Sequence, residues 1–174
     1  MTINPPQLPT VRLVDATVPT LDAAIAGDDA LAGALGLPVV PGWATFAEAL
    51  PVVRGALADD PTGIVWGPRL FVAGAPPAVV GWGGFKGAPR DGVVEIGYEI
   101  AESRRCRGLA TAAATAMLDV AFACPDVTAV IAHTLGEPNP SNRVLSKLGF
   151  QGDGEFVDGD QLIWRFRLDR PSTR

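Results

Sequence analysis

The chain has 174 residues, 48% hydrophobic and 19% charged, with a formal net charge of -5. That balance describes one globular domain with a proper core, and the acidic surplus argues against a general nucleic-acid binder, which would carry a basic surface. No apolar run approaches the roughly 20 residues of a membrane span, and Met1-Thr2-Ile3-Asn4-Pro5-Pro6 lacks the basic and apolar regions of a signal peptide.

Two cysteines, Cys106 and Cys124, provide neither a disulfide framework nor a metal-binding spacing. The expectation is a cytoplasmic protein, monomer or homodimer, with no metal and with neither nucleic acid nor membrane as partner.

In chain order, residues 1–9 form a loose proline-rich entry and Val11 to Val14 a short strand. Helical patterns follow over Pro19 to Ala26 and Asp28 to Leu35, the second capped by Asp28 or Asp29. Glycines and prolines make a loop of residues 36–43, with Trp43 a candidate to line a pocket. Phe46, Leu50, Val53 and Leu57 recur at helical spacing, so a third helix is expected over 46–57, with Pro51 inside it or breaking it. Strands over 63–73 and 79–85 join through Ala75-Pro76-Pro77 into a hairpin.

The central stretch opens with Val93-Val94-Glu95-Ile96-Gly97-Tyr98-Glu99-Ile100-Ala101, a β-branched and aromatic run suited to a strand. A basic turn, Arg104-Arg105-Cys106-Arg107-Gly108, then leads into a helix over 108–124 that is apolar except for a stripe of Thr111, Thr115 and Asp119. Such a helix packs on a sheet. A strand over 127–134 follows, then a short helix with Asn139 as cap, Pro140 at its first position and Gly149 past its end. Residues 150–157 and 161–168 read as a closing hairpin turned at Asp158-Gly159-Asp160, and 170–174 as a tail. The order gives an α/β domain with a mixed sheet and helices on both faces.

The strand-to-helix turn carries chemistry. The first N–H groups of a helix lack intrahelical acceptors, and with the helix dipole and nearby guanidinium groups they make a site for a phosphate or pyrophosphate. Gly108 puts no Cβ between ligand and backbone. Arg105, Cys106, Arg107, Gly108, Leu109, Ala110 and Thr111 are the candidates, against the alternative of an ordinary turn with solvated arginines.

The run Arg105-Cys106-Arg107-Gly108-Leu109-Ala110 resembles the Q/R-x-x-G-x-G/A pyrophosphate loop of the GNAT family, the Gcn5-related N-acetyltransferases. Asn139-Pro140-Ser141-Asn142-Arg143-Val144-Leu145-Ser146-Lys147-Leu148-Gly149-Phe150 is similar to that family's second signature, in the form seen in its ribosomal-protein alanine acetyltransferase-like branch. Together they cover about a third of the chain. The resemblance implies a single acyl-CoA N-acyltransferase-like domain over 1–174, with 93–150 as the acetyl-CoA-binding core and a central, mostly antiparallel sheet.

It further implies acetyl transfer from acetyl-CoA to a primary amine by direct attack, the acceptor being a small molecule or a protein N-terminus. Backbone N–H groups near Ile100 would polarise the thioester carbonyl. Asn139 would lie beside the pantetheine arm, Ser141 near the sulfur as a proton donor, and Arg143 among the cofactor-binding residues. Asn139 is displaced by one from the family's usual asparagine position, which holds Pro138, and Leu145 stands where another branch has a tyrosine acid.

A proton must also leave the attacking amine, and a carboxylate can take it. Glu95 and Glu99 point to one face of their strand, about 13 Å apart at roughly 3.3 Å per residue, so only one can sit at the reacting centre. Glu95 fits the family's position better and Glu99 is second, against the alternative that both are satisfied charges on a sheet face. His133, the sole histidine, is more often structural at such a strand position. A rival of a different class is a non-catalytic acyl-CoA-binding or sensing domain on the same fold. A nucleotide-dependent oxidoreductase is weaker, because the turn lacks the three-glycine fingerprint.

Overall fold

The computed structural model describes residues 8–171. Its elements are β1 (Val11–Asp15), α1 (Val18–Ala26), α2 (Asp28–Leu35), α3 (Ala49–Asp59), β2 (Pro68–Ala73), β3 (Ala78–Phe85), β4 (Val93–Ile100), α4 (Leu109–Ala123), β5 (Ala129–Leu135), α5 (Pro140–Lys147), β6 (Gln151–Asp158) and β7 (Gln161–Asp169). The strands form one seven-stranded sheet in the order β1-β2-β3-β4-β5-β7-β6. Only β4 and β5 run parallel; every other neighbouring pair is antiparallel.

Each face of the sheet has its own apolar core. On one, Val94, Ile96 and Ile100 of β4 meet Ala113 and Met117 of α4 and Leu145 of α5. Alanines at 112, 113, 114 and 121 let α4 lie close to the strands, and burying Met117 alone contributes about 1.5–3 kcal/mol. The stripe of Thr111, Thr115 and Asp119 is the side of α4 left half-buried or exposed. On the other face, Leu21, Leu31, Leu50 and Leu57 of α1–α3 pack on Leu70, Val72 and Trp82.

Several boundaries differ from the sequence expectation. Gly27, not Asp28 or Asp29, is the N-cap of α2; both aspartates stand in the first turn, and Asp28 Oδ1 accepts from Trp43 Nε1 at 3.0 Å. The helix expected over 46–57 begins at Ala49, so Pro51 lies in the first turn, where its missing N–H costs no hydrogen bond. The strand expected from Gly63 starts at Pro68, because a 3-10 helix occupies Pro61–Trp66. Buried Arg69 fastens that helix, donating to the carbonyls of Ile64, Val65, Gly67 and Pro68 and pairing with Asp15 at 3.0 Å. The second short 3-10 helix, Glu102–Arg104, was likewise not legible in the sequence.

The loose entry over 1–9 falls mostly outside the described residues, as does the end of the expected tail. Arg170, assigned to that tail, is instead fixed: its guanidinium donates to the carbonyls of Phe122, Cys124 and Val127 and lies 5.3 Å from the Phe122 ring centroid. A cation at those carbonyls caps the C-terminal end of α4. Among the described residues no helix is long and apolar enough to cross a membrane.

Strands β4 and β5 separate. Their ladder holds only Val93, Val94 and Glu95 against Ala129, Val130 and Ile131, while β5 stays paired with β7 along its whole length, from Ala129↔Asp169 to Leu135↔Ile163. Glu95 O accepts from Lys86 N and Ala101 N donates to Val80 O, so odd-numbered peptide groups of β4 turn toward β3. By alternation, Tyr98 and Ile100 turn theirs into the gap, beyond the end of the ladder. A cleft lined by backbone donors opens in the middle of the sheet.

Candidate active site

The basic turn closes one end of that cleft. Gly108 is the N-cap of α4 at φ 76°, and no side chain caps the helix. Ala112 N donates to Gly108 O, which leaves the N–H groups of Leu109, Ala110 and Thr111 without intrahelical acceptors. A Cβ at Gly108 would also stand 3.1 Å from Pro9 Cδ. Arg105, Cys106 and Arg107 are exposed; Arg105 Nε donates to Ile100 O at 3.1 Å, tying the turn to the end of β4. Cys106 adopts φ 59°, so it helps turn the chain rather than facing the sheet. This arrangement fits a pyrophosphate: oriented N–H groups, a dipole end and two exposed cationic side chains.

At the other end, α5 opens with a reciprocal capping box. Asn139 Oδ1 accepts from Asn142 N at 3.2 Å, and Asn142 Oδ1 accepts from Asn139 N at 2.7 Å. The Asn139 amide also donates to Leu135 O and Glu137 O, so its side chain is spent on holding the loop between β5 and α5. Arg143 is exposed beside Pro138, Asn139, Pro140 and Asn142, where a hollow of about 230 Å³ lies. Ser141 Oγ lies 3.0 Å from the Tyr98 hydroxyl, a contact joining α5 to β4. Burial pushes the Tyr98 hydroxyl up to about 12, the bond to Ser141 working the other way. Tyr98 therefore stays a neutral proton donor at any physiological pH.

The two glutamates share a face but not a fate. Glu99 Oε1 accepts from Phe46 N and from Trp82 Nε1, and its Oε2 accepts from Thr45 N at 3.0 Å. That carboxylate pins the segment before α3 onto the sheet. Glu95 Oε1 instead lies 2.5 Å from Lys86 Nζ and 2.9 Å from His133 Nδ1. Neither approach is angled as a hydrogen bond, although Oε1 is buried. Burial pushes the Glu95 carboxyl up, but Lys86 and His133 together outweigh it and hold the group below its ordinary value. His133 turns Nδ1 toward that carboxylate. Its ring meets Phe156 edge-on at 5.2 Å.

Beside Glu95 lies a cavity of about 340 Å³, walled by Phe46, Ala49, Val53, Pro68 and Trp82 over Gly97, with Lys86 and Glu99 at its edges. Trp43 is not in this wall; it is buried behind Trp82, their rings 6.3 Å apart. The structure thus brings Glu95, Lys86 and His133 together and sets Tyr98 on Ser141. Neither grouping was legible: Lys86 and His133 reach Glu95 through strand register, and the Tyr98 hydroxyl meets Ser141 from an element 43 residues away. Among the described residues no cluster of His, Cys, Asp and Glu is arranged to hold a metal.

The acetyltransferase (GNAT) domain family matches residues 11–151. The uncharacterized N-acetyltransferase YjdG of Bacillus subtilis is 29% identical over 143 residues, covering 80% of this chain and 85% of that protein. Two solved structures share the fold. Mycobacterium smegmatis RimJ in complex with CoA-disulfide has a TM-score of 0.63 at 22% identity, over 91% of this chain and 81% of its own. YncA of Salmonella typhimurium, with its cofactor acetyl-CoA, has a TM-score of 0.60 at 16% identity, over 94% of both chains.

Proposed function

Because this chain belongs to the GNAT acetyltransferase family and is an acetyl-CoA-dependent acyltransferase, we propose that it acetylates a primary amine by direct transfer, with residues 93–150 as the acetyl-CoA-binding core of a single domain. The observation that carries the proposal is the cleft between β4 and β5, with the uncapped start of α4 at its end. The chemistry exchanges one acyl bond for another: the amine nitrogen bonds to the acetyl carbon, the C–S bond breaks, the amine loses a proton and CoA leaves as the thiol.

The chain's own groups fit each requirement. The N–H groups of Leu109, Ala110 and Thr111, with Arg105 and Arg107, hold the pyrophosphate of acetyl-CoA. The N–H groups of Tyr98 and Ile100 face the place where charge develops on the acetyl oxygen. Glu95 is the proton-accepting carboxylate, kept ionised by Lys86 and His133. Tyr98 and Ser141, hydroxyl to hydroxyl, supply the proton that the departing sulfur takes. Acceptor and donor lie on opposite faces of the sheet, and the cleft is where they meet.

Lys86 also supports the rival reading, since a carboxylate held by a lysine is a weak base and suits a domain that binds without turnover. Two measurements separate them. Calorimetry with acetyl-CoA, NAD serving as control, is expected to show binding of acetyl-CoA alone. Thiol release with a panel of amines is then expected to follow. Binding without release from any amine would leave the sensing domain; no binding at all would overturn both.

A further inference from the structure

The cavity beside Glu95 has a composition that selects its occupant. We infer that the acceptor is a monoamine carried on a compact apolar body, aromatic or branched aliphatic, rather than a polyamine or a cationic side chain. The inference rests on the transferase reading above and names the substrate class of that site.

Phe46, Ala49, Val53, Pro68 and Trp82 give the wall almost no polar surface, and about 340 Å³ suits a body of one aromatic ring or a branched chain. Gly97 forms the floor between the two glutamates. A Cβ built there would meet nothing but Lys86 Cε, at 3.6 Å, so the space above it is open. Gly81 and Gly83 of β3 differ: a Cβ at either would strike a backbone oxygen at 2.2 Å, so those glycines serve strand packing. Gly97 serves volume.

The charges point the same way. Lys86 and Glu99, the charged residues of the lining, offset each other, and Glu95, 2.5 Å from Lys86 just outside the lining, is the carboxylate nearest an incoming ammonium. At the Glu95 end the amine would lie next to the cleft. At the other end Glu99 is turned into the wall by Trp82 and the peptide groups of Thr45 and Phe46. A second ammonium on the body would lose its water against apolar side chains without a free carboxylate to replace it, an arrangement that is strongly unfavourable.

The test uses the full chain saturated with CoA and reads amine binding by calorimetry, then turnover with acetyl-CoA by thiol release. The probes are phenethylamine, a short peptide beginning with phenylalanine, propylamine and spermidine. Phenethylamine or the peptide is expected to bind about tenfold or more tighter than propylamine, the discrimination that filling an apolar pocket provides. Which of those two is preferred tells a free amine from a protein N-terminus. Gly97→Ala and Gly97→Val are expected to raise KM in graded steps, most for phenethylamine and least for propylamine, while acetyl-CoA affinity is kept as the sign of an intact fold.

Preference for spermidine, or a Gly97 series that affects every amine alike, overturns the inference while leaving the transferase standing. Binding of phenethylamine without turnover does the reverse. If no amine binds the CoA-saturated protein, the cavity is not an acceptor site and the inference falls.

Discussion

The two faces of β4 are built in opposite ways. On the α4–α5 side the groups that suit a pyrophosphate come from one unbroken stretch, Arg105 to Thr111, and most of them are backbone N–H groups. On the α1–α3 side the groups come from distant places: Phe46 before α3 and Ala49 at its start, Trp82 on β3 and Lys86 just past its end, Glu95 and Glu99 on β4, His133 on β5. A site made of backbone depends on local conformation and tolerates side-chain change. A site made of side chains gathered by strand register gains an environment particular to this protein, and the two glutamates show how much that environment decides.

The largest effect is expected from breaking their equivalence. Glu95→Gln removes the proposed proton acceptor and is expected to lower kcat by about 10²- to 10⁴-fold with acetyl-CoA affinity unchanged. Glu99→Gln is expected to act on the fold instead. It sets an amide N–H against Thr45 N, or against Phe46 N and Trp82 Nε1, and weakens charge-assisted bonds that contribute about 1.5–3 kcal/mol each. Denaturant unfolding and steady-state kinetics on the two variants test the pair together. Equal losses of kcat without loss of stability would end the distinction.

On the other side, Gly108→Val forces a β-branched residue to φ 76° and a Cβ toward Pro9. The left-handed conformation costs roughly 1–2 kcal/mol. Calorimetry is expected to show a loss of acetyl-CoA affinity greater than the loss of stability, because the Cβ and its methyl groups also crowd the proposed anion site. An affinity matching the parent would remove the pyrophosphate assignment.

The smallest effect concerns pH. Tyr98 is raised in the folded state to about 12 from an ordinary 10.0, so above pH 10 the unfolded chain gives up a proton that the folded one keeps. Stability that is fully present below pH 10 is therefore expected to fall as the pH rises toward 12. Tyr98→Phe is expected to flatten that limb of the unfolding curve. For Glu95 the sign is reversed: its lowered carboxyl stabilises the fold above the ordinary carboxylate range, and that contribution is lost as the pH falls through the folded value.

Much of the chain announced itself. The alanine-rich α4, the Asn139–Pro140 cap and the strand from Val93 fell where periodicity and capping chemistry put them, since both act over a few neighbouring residues. The 3-10 helix over Pro61–Trp66 escaped because it is held by Arg69, a residue beyond its own end. Arg170 read as tail because its acceptors lie more than 40 residues away.

The sequence by itself determined the α/β class, the basic strand-to-helix turn and the family, because those rest on local backbone geometry and on motifs in a fixed order. Only the tertiary structure decided which glutamate meets cations and which is bonded into the wall, that Ser141 is partnered by Tyr98, and that Gly97 floors a cavity. Each depends on register and on the parting of β4 from β5, and a shift of one residue in either strand would turn every one of those side chains to the opposite face.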